Sequence, residues 1–471
     1  MLKYLILVFL LISLLQAAIA QSDEHLADSL IIVDKIEFVG NKVTIDKILL
    51  REITIQAGDT LSREAFRNRL VESSENLMNT SLFNFADLQD TLVNASDIPH
   101  YQIKVEVTER WYIFPLPIFE LAERNFSTWW QTKDLNMINY GLFLDWQNFR
   151  GRKEHLKVLL QFGYDEKLGV SYMVPYIDKK QHIGLSFGFS RTKNHSISYI
   201  TQDNQVQRIR LTDKYAQKTY EAFLAVSNRP DINQFHNLEA SYNDLNFNDT
   251  IPTLNPLFYG GDNNRAQYFK LSYFYKNDHR DYKSYPLKGY YFDLLIEKLG
   301  FGLFSGTDIN VFTAKANIRK FWKLHEKWYF ASGFTGRFGS KGSLPYFTTT
   351  GLGYGRDYVR GYEYYVVDGQ DYGLIKTDLK FALIPQRVTT LKFIPTDKFN
   401  KIPWAIYLSL YGDAAFAPGN QIYGNDLQNT LLVGYGAGIN LVTYYDMVFR
   451  VEYSFNKMGE SGLFISFIAS I

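Results

Sequence analysis

From about residue 137 onward the chain is a succession of short runs in which apolar and polar residues alternate. That rhythm limits its possible folds more than any other feature. Phe269, Leu271, Tyr273 and Tyr275 alternate with Lys270, Ser272 and Lys276, and Phe312, Ala314, Ala316 and Ile318 with Thr313, Lys315, Asn317 and Arg319. The pattern returns at Ile375, Thr377, Leu379 and Phe381 against Lys376, Asp378 and Lys380, and at Phe449, Val451, Tyr453 and Phe455 against Arg450, Glu452 and Ser454. A period of two is that of a β-strand, whose successive side chains point to opposite faces. Alternation alone fits a soluble sandwich equally well, with the apolar faces in a core. Here the polar face is charged at nearly every step, and the 34 Tyr and 36 Phe crowd the apolar strand ends. Runs of about ten residues with aromatic girdles favour a transmembrane antiparallel β-barrel, which needs an even strand number. The spacing predicts about sixteen strands, the first from "YGLFLDWQNF" and the last from "GLFISFIAS". Reaching sixteen requires a short strand near Phe347 to Tyr354.

The opening "MLKYLILVFLLISLLQAAIAQ" places Lys3 before an apolar stretch and Ala18-Ile19-Ala20 before Gln21. That is the pattern of a cleaved secretory signal over residues 1–20, and the apolar run is shorter than the ~20 residues of a spanning helix. The chain has no cysteine, which excludes disulfides and thiolate metal sites, leaves no residue for a lipoprotein anchor and suits an oxidising compartment. A formal net charge of +1 gives no global field for nucleic acid as a partner.

A polar leader over residues 21–31 precedes a segment with a different period. Ile36 and Phe38 alternate with Lys35 and Glu37 up to a turn at Gly40-Asn41. Ile45, Ile48, Leu49 and Ile53 recur at helical spacing, and Ser62 is a candidate N-cap for a second helix carrying Phe66, Leu70 and Leu77. "HYQIKVEVTER" then alternates cleanly. Strand, helix, helix, strand describes a small α+β domain over residues 32–110, leaving 111–471 to the barrel.

Two stretches carry a family resemblance. "IEFVGNKVTIDKILLRE", "LMNTSLFN" and "IKVEVTER" resemble a POTRA domain, with Gly40, Asn41, Leu82 and Phe83 at the family's positions. "VRGY", residues 359–362, resembles the V-R-G-F/Y motif of BamA- and TamA-type outer-membrane assembly proteins, which have a surface-antigen-type barrel. The resemblance implies a loop folded back into the barrel, with Arg360 pairing an acidic residue on the strand after next. "LYGDAAF" supplies Asp413, and the parity of Ile406, Leu408 and Leu410 independently turns Asp413 toward the lumen. Gly361 would let the backbone turn beside the arginine, with Val359 and Tyr362 flanking it. Two departures stand out: Ala415 replaces a glycine, and Lys380 stands where the family has a glutamate, so Lys380 facing Arg360 would leave Asp378 as an alternative partner. "DHRDYKSYPLKG" resembles a D-x-x-x-x-P-x-x-G segment and reads as an outer loop.

The resemblance implies a protein that inserts unfolded outer-membrane proteins through a seam between first and last strands, with the POTRA domain in the periplasm of a diderm bacterium. Expected partners are outer-membrane lipid, unfolded outer-membrane or secreted protein clients, and other assembly-machinery subunits. Gly459 and Gly462 would weaken pairing if they fall at the seam. A polypeptide-translocating secretion pore is the second reading and a passive porin or surface protein the third. No cofactor, metal or catalytic group is expected: the eight histidines lack metal-ligand spacing, and the glycines of "GLGYGRDYVRG" precede no helix that could cradle a phosphate.

Overall fold

The computed structural model describes residues 30–122, 137–259, 264–304, 309–341, 344–419 and 425–471. The expected signal segment lies outside them. Among the described residues, strand β1, Leu30–Val39, starts inside the expected leader and already buries Ile31 and Val33. Helix α1 (Asp46–Glu52), strand β2 (Thr60–Ser62), helix α2 (Arg63–Met78) and strands β3 (Phe83–Asn94) and β4 (His100–Glu109) complete the small domain. The sheet order is β2-β1-β4-β3, with β1 and β4 parallel. Two strands were therefore missing from the strand–helix–helix–strand expectation. β2 has only three residues, and the outer half of β3 is exposed on both faces, so neither advertises itself by alternation. Ser62 caps α2, accepting a hydrogen bond from the Ala65 amide at 3.2 Å. Ile48, Leu49, Phe66, Leu77, Leu82, Phe83, Ile103 and Val105 form the core. Ile45, read as part of the apolar helical face, instead precedes α1 and is exposed.

Sixteen antiparallel strands follow, each paired with its neighbours in chain order. The first is Ile113–Leu121, one strand earlier than expected, so "YGLFLDWQNF" belongs to the second, Ile138–Phe149. Pro115 and Pro117 hide the first strand from a pattern search. The short strand expected near Phe347 to Tyr354 is real but is not a barrel strand: Thr350–Leu352 pairs with Val367–Asp368 inside the long loop between strands eleven (Trp328–Gly339) and twelve (Tyr372–Thr390). The two errors cancel in the count.

Burial separates a barrel from a sandwich. Arg450, Glu452, Lys380 and Asp413 are at most 3% exposed, whereas Ile318, Leu410, Ile439 and Leu463 are all more than half exposed. Charged residues inside and apolar residues outside invert a soluble protein and match a lipid-facing wall. Among the described residues no ladder joins the first strand to the last, Ser461–Ser466, so the sheet has a seam.

The N-terminal domain sits across the mouth into which its own chain leads. Asn148 in the wall donates to Thr44 at 2.9 Å, Arg229 to Glu52 at 2.5 and 2.7 Å, and Arg110 to Asp446 at 2.6 and 3.1 Å. Asn79 donates to the Asp281 carbonyl at 2.9 Å. The D-x-x-x-x-P-x-x-G segment is thus a turn on the domain side, not an outer loop. Asp281 organises it by accepting from the Leu287 amide at 3.0 Å, and Gly289 closes it at φ +100°.

Candidate functional site: a loop held inside the barrel

The long loop after strand eleven turns back into the lumen, and Arg360 at its tip is fully buried. Its Nε and Nη2 donate to the two oxygens of Asp413 at 2.8 and 2.6 Å, and its backbone amide donates to Asp413 Oδ2 at 3.1 Å. Asp413 lies on strand thirteen, Lys401–Phe416, whose inward side is the Tyr407, Ser409, Tyr411 and Asp413 series. Nη2 also reaches the Thr377 carbonyl at 2.9 Å, and the guanidinium carbon lies 3.8 Å from the centre of the Tyr411 ring. A planar cation thus has a two-point carboxylate on its edge and an aromatic face beneath it, a geometry lysine cannot reproduce.

Two further carboxylates surround the cation. Glu452 Oε1 is 3.4 Å from Arg360 Nη1 and accepts from Arg450 at 2.7 Å, while Asp378 Oδ2 is 3.9 Å from Nη1. Asp378 also accepts from the Ser470 hydroxyl at 3.0 Å. Lys380 stands with its ammonium 4.2 Å over the Tyr285 ring, while Asp378 and Glu452 are the further carboxylates within 4 Å of Arg360. Sequence reasoning named Asp413 and Asp378 but missed Glu452 and Tyr411 as contacts of the arginine. Both lie on inward parity positions, but parity alone does not say how far along its strand each meets the loop.

Backbone shape admits the loop tip. Gly361 has φ +96°, and Asn456 donates to its carbonyl at 2.9 Å. Gly434, on strand fourteen (Leu432–Thr443), lies so close beneath that a Cβ there would come within 1.8 Å of the Arg360 carbonyl oxygen. Val359 and Tyr362 are buried with Leu352, Leu374 and Leu432, which anchors both sides of the arginine. Farther out, Thr201 meets Tyr346 and Tyr354 at 2.9 and 2.8 Å, tying the loop to the hairpin Ser196–Gln202/Gln205–Arg210. Beyond the last strand, residues 469–471 also turn inward, and Ile471 packs on Phe321 and Ala331 of the opposite wall.

At the domain end, Gly40 (φ +95°) comes so near the Val107 carbonyl that no side chain fits, and Asn41 donates to Thr44 O at 2.9 Å and Asp46 Oδ1 at 2.7 Å. These two residues aim α1 at the barrel turns. Burial pushes the Glu52 carboxyl up, but Lys153, Arg229 and Arg51 outweigh it and hold the group at about 2. Asp446 is likewise held below the usual range: burial raises it, and the hydrogen bond and charge of Arg110, with Tyr282 and Ser81, overcome that. These pairs span 177 and 336 residues of sequence, beyond the reach of any local pattern. Among the described residues no group of three or more His, Asp or Glu is placed to hold a metal ion.

A barrel charged within and apolar without, holding one of its loops in the lumen and fronted by a small α+β domain, defines a class of outer-membrane β-barrel proteins. Residues 148–447 match the Omp85 superfamily domain, and residues 31–110 match a POTRA domain described as a surface antigen variable number repeat; the chain belongs to the Omp85 superfamily. CdiB from Escherichia coli is similar in structure with a TM-score of 0.50 and 10% identity, over 92% of this chain and 75% of that one. BamA from Haemophilus ducreyi lacking POTRA domains 1–3 gives 0.49 and 16%, over 93% and 83%. No curated protein sequence matches the chain.

Proposed function

We propose that this chain is an outer-membrane protein assembly factor, passing unfolded β-barrel clients into the bilayer through its seam. The observation that carries this reading is the absence of a ladder between first and last strands among the described residues, in a barrel whose lumen is obstructed. The Arg360 loop and residues 469–471 occupy the interior, and the POTRA domain covers the periplasmic mouth through the Glu52–Arg229 and Arg110–Asp446 pairs. A lateral route is therefore less hindered than a route along the barrel axis. The Arg360–Asp413 pair acts as a loop lock: it fixes the loop against the wall made by strands twelve to fifteen, close to the seam, and performs no chemistry.

The POTRA edge strands β2 and β3 offer main-chain groups to which an extended client can add without any particular side chain. Its partners are outer-membrane lipid, unfolded outer-membrane proteins and other assembly subunits, and its place is the outer membrane with the POTRA domain in the periplasm. The test is reconstitution in liposomes with unfolded outer-membrane proteins, using empty liposomes and Arg360→Ala as controls. Accelerated insertion that depends on Arg360 supports the reading. Steady ion conductance without acceleration would instead favour a secretion pore, the role that fits a CdiB-like relative equally well by fold.

A further inference from the structure

The outer wall of the barrel is not uniform toward the end away from the POTRA domain. On strands ten (Val311–Lys323), eleven, thirteen, fourteen and fifteen (Val448–Asn456) the outward positions there include Phe312, Phe338, Phe416, Tyr435 and Phe455, all exposed. Apolar and aromatic residues are what a lipid-facing wall presents. Strands five (Ile183–Asn194) and six (Gln217–Asn228) follow that rule over part of their length, with Phe187, Phe189, Leu224 and Val226 exposed on the outside. Parity then carries the same face through Arg191 and Lys193 on strand five, and through Tyr220 and Lys218 on strand six. These cations stand directly above the apolar band, at the height where a barrel meets lipid headgroups.

Their pairing is unfavourable for the protein alone. Lys193 and Lys218 lie directly opposite in register, with Arg191 opposite Tyr220. Like charges facing one another across a ladder are destabilising. One carboxylate offsets them: Glu166, on strand four (Glu166–Val174), lies 2.8 Å from Lys193 and 3.6 Å from Arg191, and it accepts from the Tyr215 hydroxyl at 2.8 Å. The nearby Asp244 is held by two nitrogens of Arg265 at 2.8 and 2.6 Å, and Asp165 accepts from the His195 amide at 2.8 Å. Lys218 is exposed and has no carboxylate partner among the described residues. Its neighbour on strand seven (Gln234–Phe247) is the neutral Asn246. The Tyr215 ring lies beside both lysines, its centre 5.0 Å from the Lys193 ammonium and 5.9 Å from that of Lys218. Three cations thus share one carboxylate.

Resting on the outer-membrane placement proposed above, we infer that Arg191, Lys193 and Lys218 form a binding site for the phosphate of an outer-leaflet lipid headgroup. The phosphate oxygens sit between the two ammonium groups and turn a like-charge contact into two charge-assisted hydrogen bonds. Arg191, held by Glu166 at only 3.6 Å, adds a further donor. The acyl chains lie against Phe187, Phe189, Leu224 and Val226 directly below. The occupant is a lipid and not a soluble anion because the apolar band runs unbroken up to the cations, so one amphipathic molecule satisfies both. Strands four to six lie away from the first and last strands in sheet order, so a lipid bound there anchors the wall without occupying the lateral route.

The test titrates the full protein in detergent micelles with a disaccharide lipid bearing two phosphates, and with the same lipid after its phosphates are removed, and counts bound lipid by native mass spectrometry. Only the phosphorylated lipid should bind tightly. Lys193→Gln plus Lys218→Gln should weaken that binding about twentyfold, at about fivefold per basic side chain, whereas Lys193→Arg plus Lys218→Arg should retain it. Lys320→Gln, on the outward face toward the POTRA end of strand ten, should change nothing. Heat-dependent gel mobility checks that each variant keeps its barrel. Displacement of the lipid by excess inorganic phosphate would mean a soluble-anion site and overturn the lipid assignment. Equal binding of the two lipids, or binding insensitive to the double glutamine replacement, overturns the inference and leaves the outer-membrane placement intact. A chain that does not float with lipid vesicles overturns that placement as well.

Discussion

Protonating Glu52, or replacing it by glutamine, should loosen the POTRA domain from the barrel mouth. Glu52 is 2% exposed and receives two hydrogen bonds from Arg229, with Lys153 3.6 Å away. Its carboxyl titrates at about 2 when docked, against 4.5 for a free side chain. By linkage that gap corresponds to about 3 kcal/mol of docking, on the order of 300-fold in the opening equilibrium. A depressed carboxylate contributes fully above pH 4.5 and loses its contribution as the pH falls toward 2; roughly half remains at pH 3. The assay is native-state hydrogen exchange of the α1 amides, Asp46 to Glu52, in the membrane-reconstituted protein. At pH 7 the Glu52→Gln protein should exchange there about two orders of magnitude faster than the parent, and the ratio should shrink between pH 4.5 and pH 3. Equal exchange at pH 7, or a ratio that does not change with pH, would refute the argument that this pair holds the domain in place.

The other expectations concern the loop and the second docking pair. Arg360→Ala should destabilise the barrel by about 3–5 kcal/mol, because it leaves Asp413 buried without its partner. Asp413→Ala should cost less, since Glu452 and Asp378 still face the cation, and the double replacement less than the sum; heat-dependent gel mobility reads this, and additive losses would deny the coupling. Gly434→Val should expel the loop tip, since its Cβ would overlap the Arg360 carbonyl, so protease should cut between residues 353 and 366 where the parent resists. Asp446→Asn should weaken docking independently of Glu52→Gln, because the two contacts lie at different turns; their effects on α1 exchange should therefore add.

Much of the site is legible in the sequence. The "VRGY" and "LYGDAAF" segments named Arg360 and Asp413, and side-chain parity put Asp413 inside. Parity works because a strand has a period of two wherever it lies. It fails where the strand carries no contrast, as in β3, whose outer half meets water on both faces, and in Ile113–Leu121, where two prolines interrupt the donors. The strand near Thr350 misled for the opposite reason: its local signal is genuine, but only tertiary context says that it pairs within a loop.

The sequence by itself determined the alternation that makes a barrel, the POTRA turn at Gly40 and Asn41, and the identity of the buried cation and its acceptor. All of these rest on local periodicity, backbone conformation or chemical type. Only the tertiary structure decided that Lys380 turns to Tyr285, that Glu452 and Asp378 complete the cluster around Arg360, and that Glu52 and Arg110 reach barrel turns 177 and 336 residues away. These depend on register and on closure of the sheet, which bring distant strands to one height in the lumen, and no local pattern encodes that height.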